Sequence, residues 1–197
     1  MALARRYVEQ DRYTEEQYLR WEEDAAEKSE YVDGQMRTMS GGSEPHASIP
    51  VNIGALLWNA LRGKACRVLS SDMKVWTAGA FYYPDLSVVC GPSVYRNGNK
   101  HVITNPILVV EVLSPSTEPK DRGEKFIRYQ QIETLRSYLL VSQTEPRVEL
   151  FERGENDHWD YSLVAGLKSA IEIPSLGVTL ALSEVYDQVD FADALDE

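Results

Sequence analysis

Cysteine is scarce: the 197 residues contain two, Cys66 and Cys90, with no C-x-x-C spacing and no histidine close by in sequence. That pattern argues against structural zinc and against a disulfide framework, so two small buried thiols are expected. No apolar run approaches the roughly 20 residues of a membrane span, and the opening MALARR lacks the apolar segment of a secretory signal. A soluble, cytoplasmic protein without membrane contact is the expectation. A glycine-rich phosphate loop, a serine-nucleophile motif, internal repeats and low-complexity segments are also missing, so P-loop and serine-hydrolase chemistry have no support.

Positive charge is in deficit as well, with 20 Lys and Arg against 31 Asp and Glu. The deficit belongs to the ends. Residues 1–30 hold nine acidic and five basic side chains, residues 184–197 hold six acidic and no basic ones, and 16 acidic and 15 basic remain in residues 31–183. A nearly neutral body permits local basic patches but predicts weak nonspecific affinity for nucleic acid.

What is present is enough apolar material for one core: 43% hydrophobic residues predict a single domain over 1–197. Thr14-Glu15-Glu16-Gln17 is a capping-box pattern that starts a helix running to about Lys28. Residues 30–36 read as two short strands about an Asp33-Gly34 turn. Ile49, Ile53, Leu56, Leu57 and Leu61 recur at helical spacing between Ser43 and Gly63, with Pro50 suited only to the first turn. Strands are predicted at about Ala65 to Thr77, Phe81 to Cys90, Ile107 to Ser114, Ser137 to Ser142 and Val148 to Glu152. A helix is expected over Thr117 to Ile132, a polar loop over Val94 to Thr104, short strands near Tyr161 to Val164 and Val178 to Leu180, and a short helix after Ser183. That order predicts an α/β (α+β) domain with a mixed sheet.

Two carboxylates break this pattern. Ile107-Leu108-Val109-Val110-Glu111-Val112-Leu113 reads as a strand buried on both faces, and an ionised glutamate there is costly unless a cation or hydrogen-bond donors meet it. Asp85 follows Pro84 in a second strand, where proline marks a strand start, an edge or a bulge that re-aims its neighbours. Two acids on neighbouring strands suit a hard divalent cation that also takes phosphate oxygens, which is the chemistry of phosphodiester hydrolysis.

These residues carry a resemblance. Pro84-Asp85 followed by Glu111 resembles the PD-(D/E)XK nuclease superfamily. The set Glu30, Asp33-Gly34, His46, Pro84-Asp85, Glu111-Val112-Leu113-Ser114-Pro115-Ser116-Thr117, Asp121, Lys125 and Tyr129 is similar to the Uma-two type of bacterial endonucleases, over roughly Tyr13 to Arg153. The resemblance implies a restriction-endonuclease-like fold, a central mixed β-sheet flanked by helices, with its nuclease core at about 13–153 and C-terminal strands and an acidic tail at 154–197. The superfamily keeps a lysine two residues after the glutamate, where this chain has Leu113. The related family moves that lysine to the next helix, and here positions 125, 129 and 132 share one helical face, which puts Lys125 on the inward stripe.

The expected activity is metal-dependent endonucleolytic cleavage of DNA. Asp85 and Glu111 hold Mg²⁺ or Mn²⁺, helped by the backbone carbonyl of Val112 and by Glu30, and Lys125 orients or deprotonates the water. His46, Arg122 and Arg128 are candidate substrate contacts, while Lys120 is expected to face solvent. A homodimer is expected because cutting a duplex takes two such centres. Blander alternatives stay open: Glu111 and Lys125 as a buried ion pair, Asp121 and Lys125 as a helix-surface pair, Asp85 as a turn residue, Glu30 as a solvated acid. An inactive nuclease-like module that binds nucleic acid or a protein partner is the alternative function. A metal hydrolase acting on small molecules is a third.

Overall fold

The computed structural model describes residues 12–39 and 41–191, so residues 1–6, where the signal-peptide expectation falls, and the end of the acidic tail lie outside the described residues. Thr14 caps α1, Glu15–Glu23: its hydroxyl accepts from Gln17 N–H and the Gln17 side chain accepts from Thr14 N–H, the reciprocal pair of a capping box. α1 stops at Glu23, short of Lys28, with Asp24 at its C-cap. β1, Ser29–Val32, and β2, Gln35–Thr38, pair about the Asp33-Gly34 turn, where both residues take positive φ.

Ser43 caps α2, Glu44–Leu61. Pro50 lies inside this helix, beyond the first turn, and so departs from the sequence expectation. The stripe Ile49, Ile53, Leu57 and Leu61 is fully buried against the sheet, and that burial holds the helix together across the hydrogen bond proline cannot make.

The two strands expected at Ala65 to Thr77 and Phe81 to Cys90 are each divided between two sheets. Ser71-Asp72-Met73 separates β3, Cys66–Ser70, from β4, Lys74–Thr77, and Tyr83-Pro84-Asp85 separates β5, Ala80–Tyr82, from β6, Leu86–Cys90. The loop after β6 contains one further short strand, β7, Val102–Ile103, parallel to β4. β8 is Leu108–Leu113, and the helical segment after it is not one regular α-helix: α3, Glu118–Lys120, passes through a π turn at Asp121–Lys125 into α4, Phe126–Tyr129. β9, Ser137–Ser142, β10, Arg147–Arg153, and β11, Trp159–Ala165, follow. A final hairpin of β12, Ala170–Ile173, and β13, Val178–Ala181, leads into α5, Leu182–Val185.

The main sheet has the order β11-β10-β9-β8-β6-β3, with β8 and β9 parallel and every other neighbour antiparallel. A second sheet runs β2-β1-β5-β4-β7. Both faces of β8 are covered. Leu108, Val110 and Val112 join the cluster built on α2 and the C-terminal hairpin, whereas Val109 and Leu113 join the cluster that contains Tyr129, Tyr138, Tyr82 and Val75. The two-residue period of a strand therefore turns Glu111 toward α4 and the second sheet.

The cysteine expectation is overturned: Cys66 and Cys90 form a disulfide. They are register partners in the antiparallel pair of β3 and β6, with Cα atoms 3.9 Å apart. Strand pairing across 24 residues brings them together, and a search for local spacing does not see it.

Candidate active site

The register that pairs Leu86 with Val110 continues by one step, which sets Asp85 beside Glu111 across two adjacent strands. Pro84 has no N–H and lies between the sheets, so Asp85 leaves the ladder and its Oδ2 accepts the Val112 N–H at 2.6 Å. Glu111 is 3% exposed, and its Oε1 accepts from Lys125 Nζ and from Tyr129 O–H, both at 3.1 Å. The helical stripe of Lys125 and Tyr129 is thus turned inward onto the glutamate.

Lys125 has further partners. Its ammonium lies 3.1 Å from Glu30 Oε1 and 3.1 Å from Asp121 Oδ1, and the Tyr82 ring faces it at 5.6 Å. The π turn joins Asp121 and Lys125 in one wide turn that buries both, and the Tyr138 O–H fixes that turn by donating to the Asp121 carbonyl at 2.9 Å. His46, at the start of α2, brings Nε2 to 4.0 Å from Asp85 Oδ2.

These groups line one open cleft of about 280 Å³ whose wall includes Glu30, His46, Asp85, Glu111, Asp121 and Lys125. Burial pushes the Asp85 carboxyl above its ordinary range, opposed by His46 and the Val112 N–H. Burial likewise holds Glu111 well above the usual carboxylate value, against the pull of Lys125 and with the other acids adding to the rise. Desolvation alone would lower Lys125, yet Glu111, Glu30 and Asp121 together raise it well above an ordinary lysine. It is therefore held as an ammonium.

Four carboxylates meet one ammonium and a histidine, so the cluster is short of positive charge. That one ammonium is shared among Glu30 Oε1, Glu111 Oε1 and Asp121 Oδ1, each 3.1 Å away. A hard divalent cation fits that donor set. No three His, Cys, Asp or Glu side chains among the described residues already form a metal shell. Two carboxylates, Asp85 and Glu111, with the remaining positions left to water and substrate, are compatible with a hard divalent cation.

The structure brings Asp85, Glu111, Lys125, Glu30 and His46 together, with the Val112 backbone at the same place. Arg122 and Arg128 are not among the cleft residues. Arg122 makes a two-pronged ion pair with Glu149 on β10 and a third bond to Glu118, and Arg128 pairs with Asp33 and the Ala78 carbonyl, bracing the β1–β2 turn. Arg37 and Lys120 line the cleft in their stead, as do the hydroxyls of Ser114, Ser116 and Thr117. Asp121 is the acid that sequence reasoning undervalued, since an Asp and a Lys four apart look the same on a wet helix face and a dry one. The only sequence signal for the hydroxyls was the Ser-Pro-Ser-Thr run after β8.

Comparison with other proteins places this chain in a family. The model described as "Uma2: Putative restriction endonuclease" matches residues 15–183. Two uncharacterized Synechocystis proteins are similar: slr1290 at 39% identity over 180 residues, covering 89% of this chain and 92% of that protein, and sll1609 at 32% over 161 residues, covering 81% and 91%. The crystal structure of a protein from Anabaena variabilis, described as a putative nuclease belonging to DUF820, superposes with a TM-score of 0.73 at 14% identity, over 90% of this chain and 99% of that one. At that identity the likeness establishes a common fold. With its acids and lysine gathered in one cleft and a family match across most of its length, the chain belongs to the Uma2 family of putative restriction endonucleases.

Proposed function

We propose that the protein is a divalent-metal-dependent endonuclease that hydrolyses phosphodiester bonds of DNA. The observation that carries this is the meeting of Asp85, just before β6, Glu111 on the adjacent β8 and Lys125 in the following π turn, in a cleft that opens outward. Asp85 and Glu111, with the Val112 carbonyl and Glu30 beside them, would hold Mg²⁺ or Mn²⁺. When bound, the ion supplies charge neutralisation at a phosphoryl oxygen and a lower pKa for water. As arranged, Lys125 is a donor: it orients a water or a phosphate oxygen, and the deprotonating role is disfavoured by the carboxylates that keep it charged. Glu30 and Asp121 fix its position, and Tyr129 fixes Glu111. His46 and Lys120 on the cleft wall are the groups placed to meet phosphate, whereas Arg37 on the same wall is held by Glu124 through both terminal nitrogens.

With one such centre per chain, cutting both strands of a duplex calls for two copies, so a homodimer belongs to this reading. No helix among the described residues is long and apolar enough to cross a membrane. A cytoplasmic location fits a DNA substrate, and the Cys66–Cys90 disulfide is the one feature that favours an oxidising setting.

One observation favours a second reading. Lys125 already has three carboxylate partners, so the cluster also suits an ionic knot in an inactive, nucleic-acid-binding module. A cleavage assay on supercoiled, linear and single-stranded DNA, with and without Mg²⁺, separates the two. Metal-dependent cutting that disappears in Asp85→Ala and in Lys125→Ala supports the nuclease. Cutting that survives both substitutions removes this site, and no cutting of any substrate moves the protein to the inactive class.

A further inference from the structure

Behind Tyr83 lies a second cavity, of about 250 Å³, whose wall includes Glu22, Asp72, Lys74, Tyr83, Asn99 and His101. Tyr83 also lines the active-site cleft and immediately precedes Pro84-Asp85, so the two spaces share a wall.

Lys74 is the anomaly in this cavity. It is 8% exposed, and its ammonium makes no hydrogen bond or ion pair among the described residues. The face of the Tyr83 ring, 5.0 Å away, is the contact it has. Lys28 approaches the same ring at 5.4 Å but is committed to Asp72 and to the Ser71 carbonyl. A buried ammonium without a counterpart is costly, and burial accordingly lowers the Lys74 pKa, with Glu22 and Glu23 opposing. Glu22 supplies a complementary gap. Its Oε1 accepts from Tyr83 O–H at 2.6 Å and from Ser29 N–H at 3.2 Å, while Oε2 is buried with no partner.

A phosphate would satisfy Lys74 but would face Glu22, Glu23 and Asp72 on the same walls. A neutral group that presents an acceptor beside an N–H donor suits both unpaired atoms at once. Resting on the nuclease reading above, we propose that this cavity takes one unpaired keto base, guanine or thymine, of the strand held in the cleft. The base carbonyl accepts from Lys74, and the adjacent ring N–H donates to Glu22. Adenine and cytosine carry an amino group where the keto bases carry that carbonyl, so they set a donor against the ammonium. An unpaired group left in a site built for hydrogen bonding is a strong source of discrimination.

The test is binding, measured with Ca²⁺ so that it is separate from cutting, of oligothymidylate, oligoadenylate, oligocytidylate and an abasic strand of the same length. Wild type is expected to bind oligothymidylate about ten- to a hundredfold more tightly than the other three, as for a hydrogen bond to a charged donor. Lys74→Met, which keeps the volume and removes the unpaired charge, should abolish that preference with an unchanged or higher Tm. Equal binding of all strands, or a preference that survives Lys74→Met, overturns the inference, and so does an equal loss of affinity for every strand, which makes Lys74 a phosphate contact. Nicking of plasmid DNA with Mg²⁺ read alongside separates the two claims. Cutting without base preference, or without binding of any single strand, removes the base site alone; base preference without cutting removes the nuclease alone; and neither binding nor cutting overturns both.

Discussion

Glu111 and Lys125 show how unequal the two members of a buried pair are. Replacing Lys125 with Met leaves Glu30, Glu111 and Asp121 facing one another with no cation, and urea denaturation should report a loss of about 3–5 kcal/mol, the usual cost of a broken buried pair. Glu111→Gln leaves Lys125 two carboxylates, so its loss should be much smaller. Asp85 gives a pH-dependent counterpart. Its folded pKa is raised by burial above the ordinary 3.8, so the folded protein keeps a proton that the unfolded chain has released, and stability falls as pH rises through that interval. Asp85→Asn in metal-free protein should therefore raise Tm at pH 7, with the gain shrinking toward pH 4. A gain that is constant with pH, or a loss, contradicts the assigned direction. Glu111 was legible in the sequence because a charge in ILVVEVL needs an explanation, and Lys125 because it shares a helical face with Tyr129 and Ile132. Glu30 and Asp121 were open questions, since no local pattern says which side of a hairpin or turn becomes dry. Arg122 and Arg128 offered only their charge, and tertiary pairing with Glu149 and Asp33 directs them away from the cleft.

At the level of elements, the site depends on two irregular starts. The π turn of Asp121–Lys125 rotates an acid and a lysine to the same buried side. The glycines before α2 let His46 close down: a Cβ on Gly42 would meet the His46 ring atoms Cγ and Nδ1 at 3.0 Å. Gly42→Ala should displace the imidazole from Asp85, lowering cleavage rate or metal affinity severalfold while stability changes by less than about 1 kcal/mol, as for most exposed sites. Full activity with a displaced ring would release His46 from any role. Helix positions were readable from capping and spacing at Thr14 and Ser43, whereas the π turn was not. Residues 117–132 carry ordinary helical periodicity, and the departure comes from packing of Tyr129 and Tyr138 around buried charge.

For the whole molecule, the decisive event is the hand-over of the chain from one sheet to the other at Tyr83-Pro84-Asp85. Proline was the visible signal of a break there, but the sequence could not say that β5 and β6 end in different sheets, because each reads as a continuous apolar run with its neighbour. β12 carried too weak an alternation to be seen without its partner β13. The same long-range pairing makes the Cys66–Cys90 disulfide, which ties β3 to β6 at the edge of the main sheet. Closing 24 residues should contribute about 3 kcal/mol by loop entropy, so denaturation with and without reductant, and in a Cys66→Ser, Cys90→Ser variant, should differ by that order. Indistinguishable curves would mean that the two thiols do not stay bonded in solution.

The most direct measurement is a calorimetric titration of the metal-free protein with Mn²⁺, compared with Asp85→Asn and Glu111→Gln. If Asp85 and Glu111 form a metal centre, wild type binds Mn²⁺ at a saturable site, and each substitution weakens binding at least about tenfold, the scale of one lost charged contact. Equal binding by all three proteins, or none by wild type, would contradict the site at its centre.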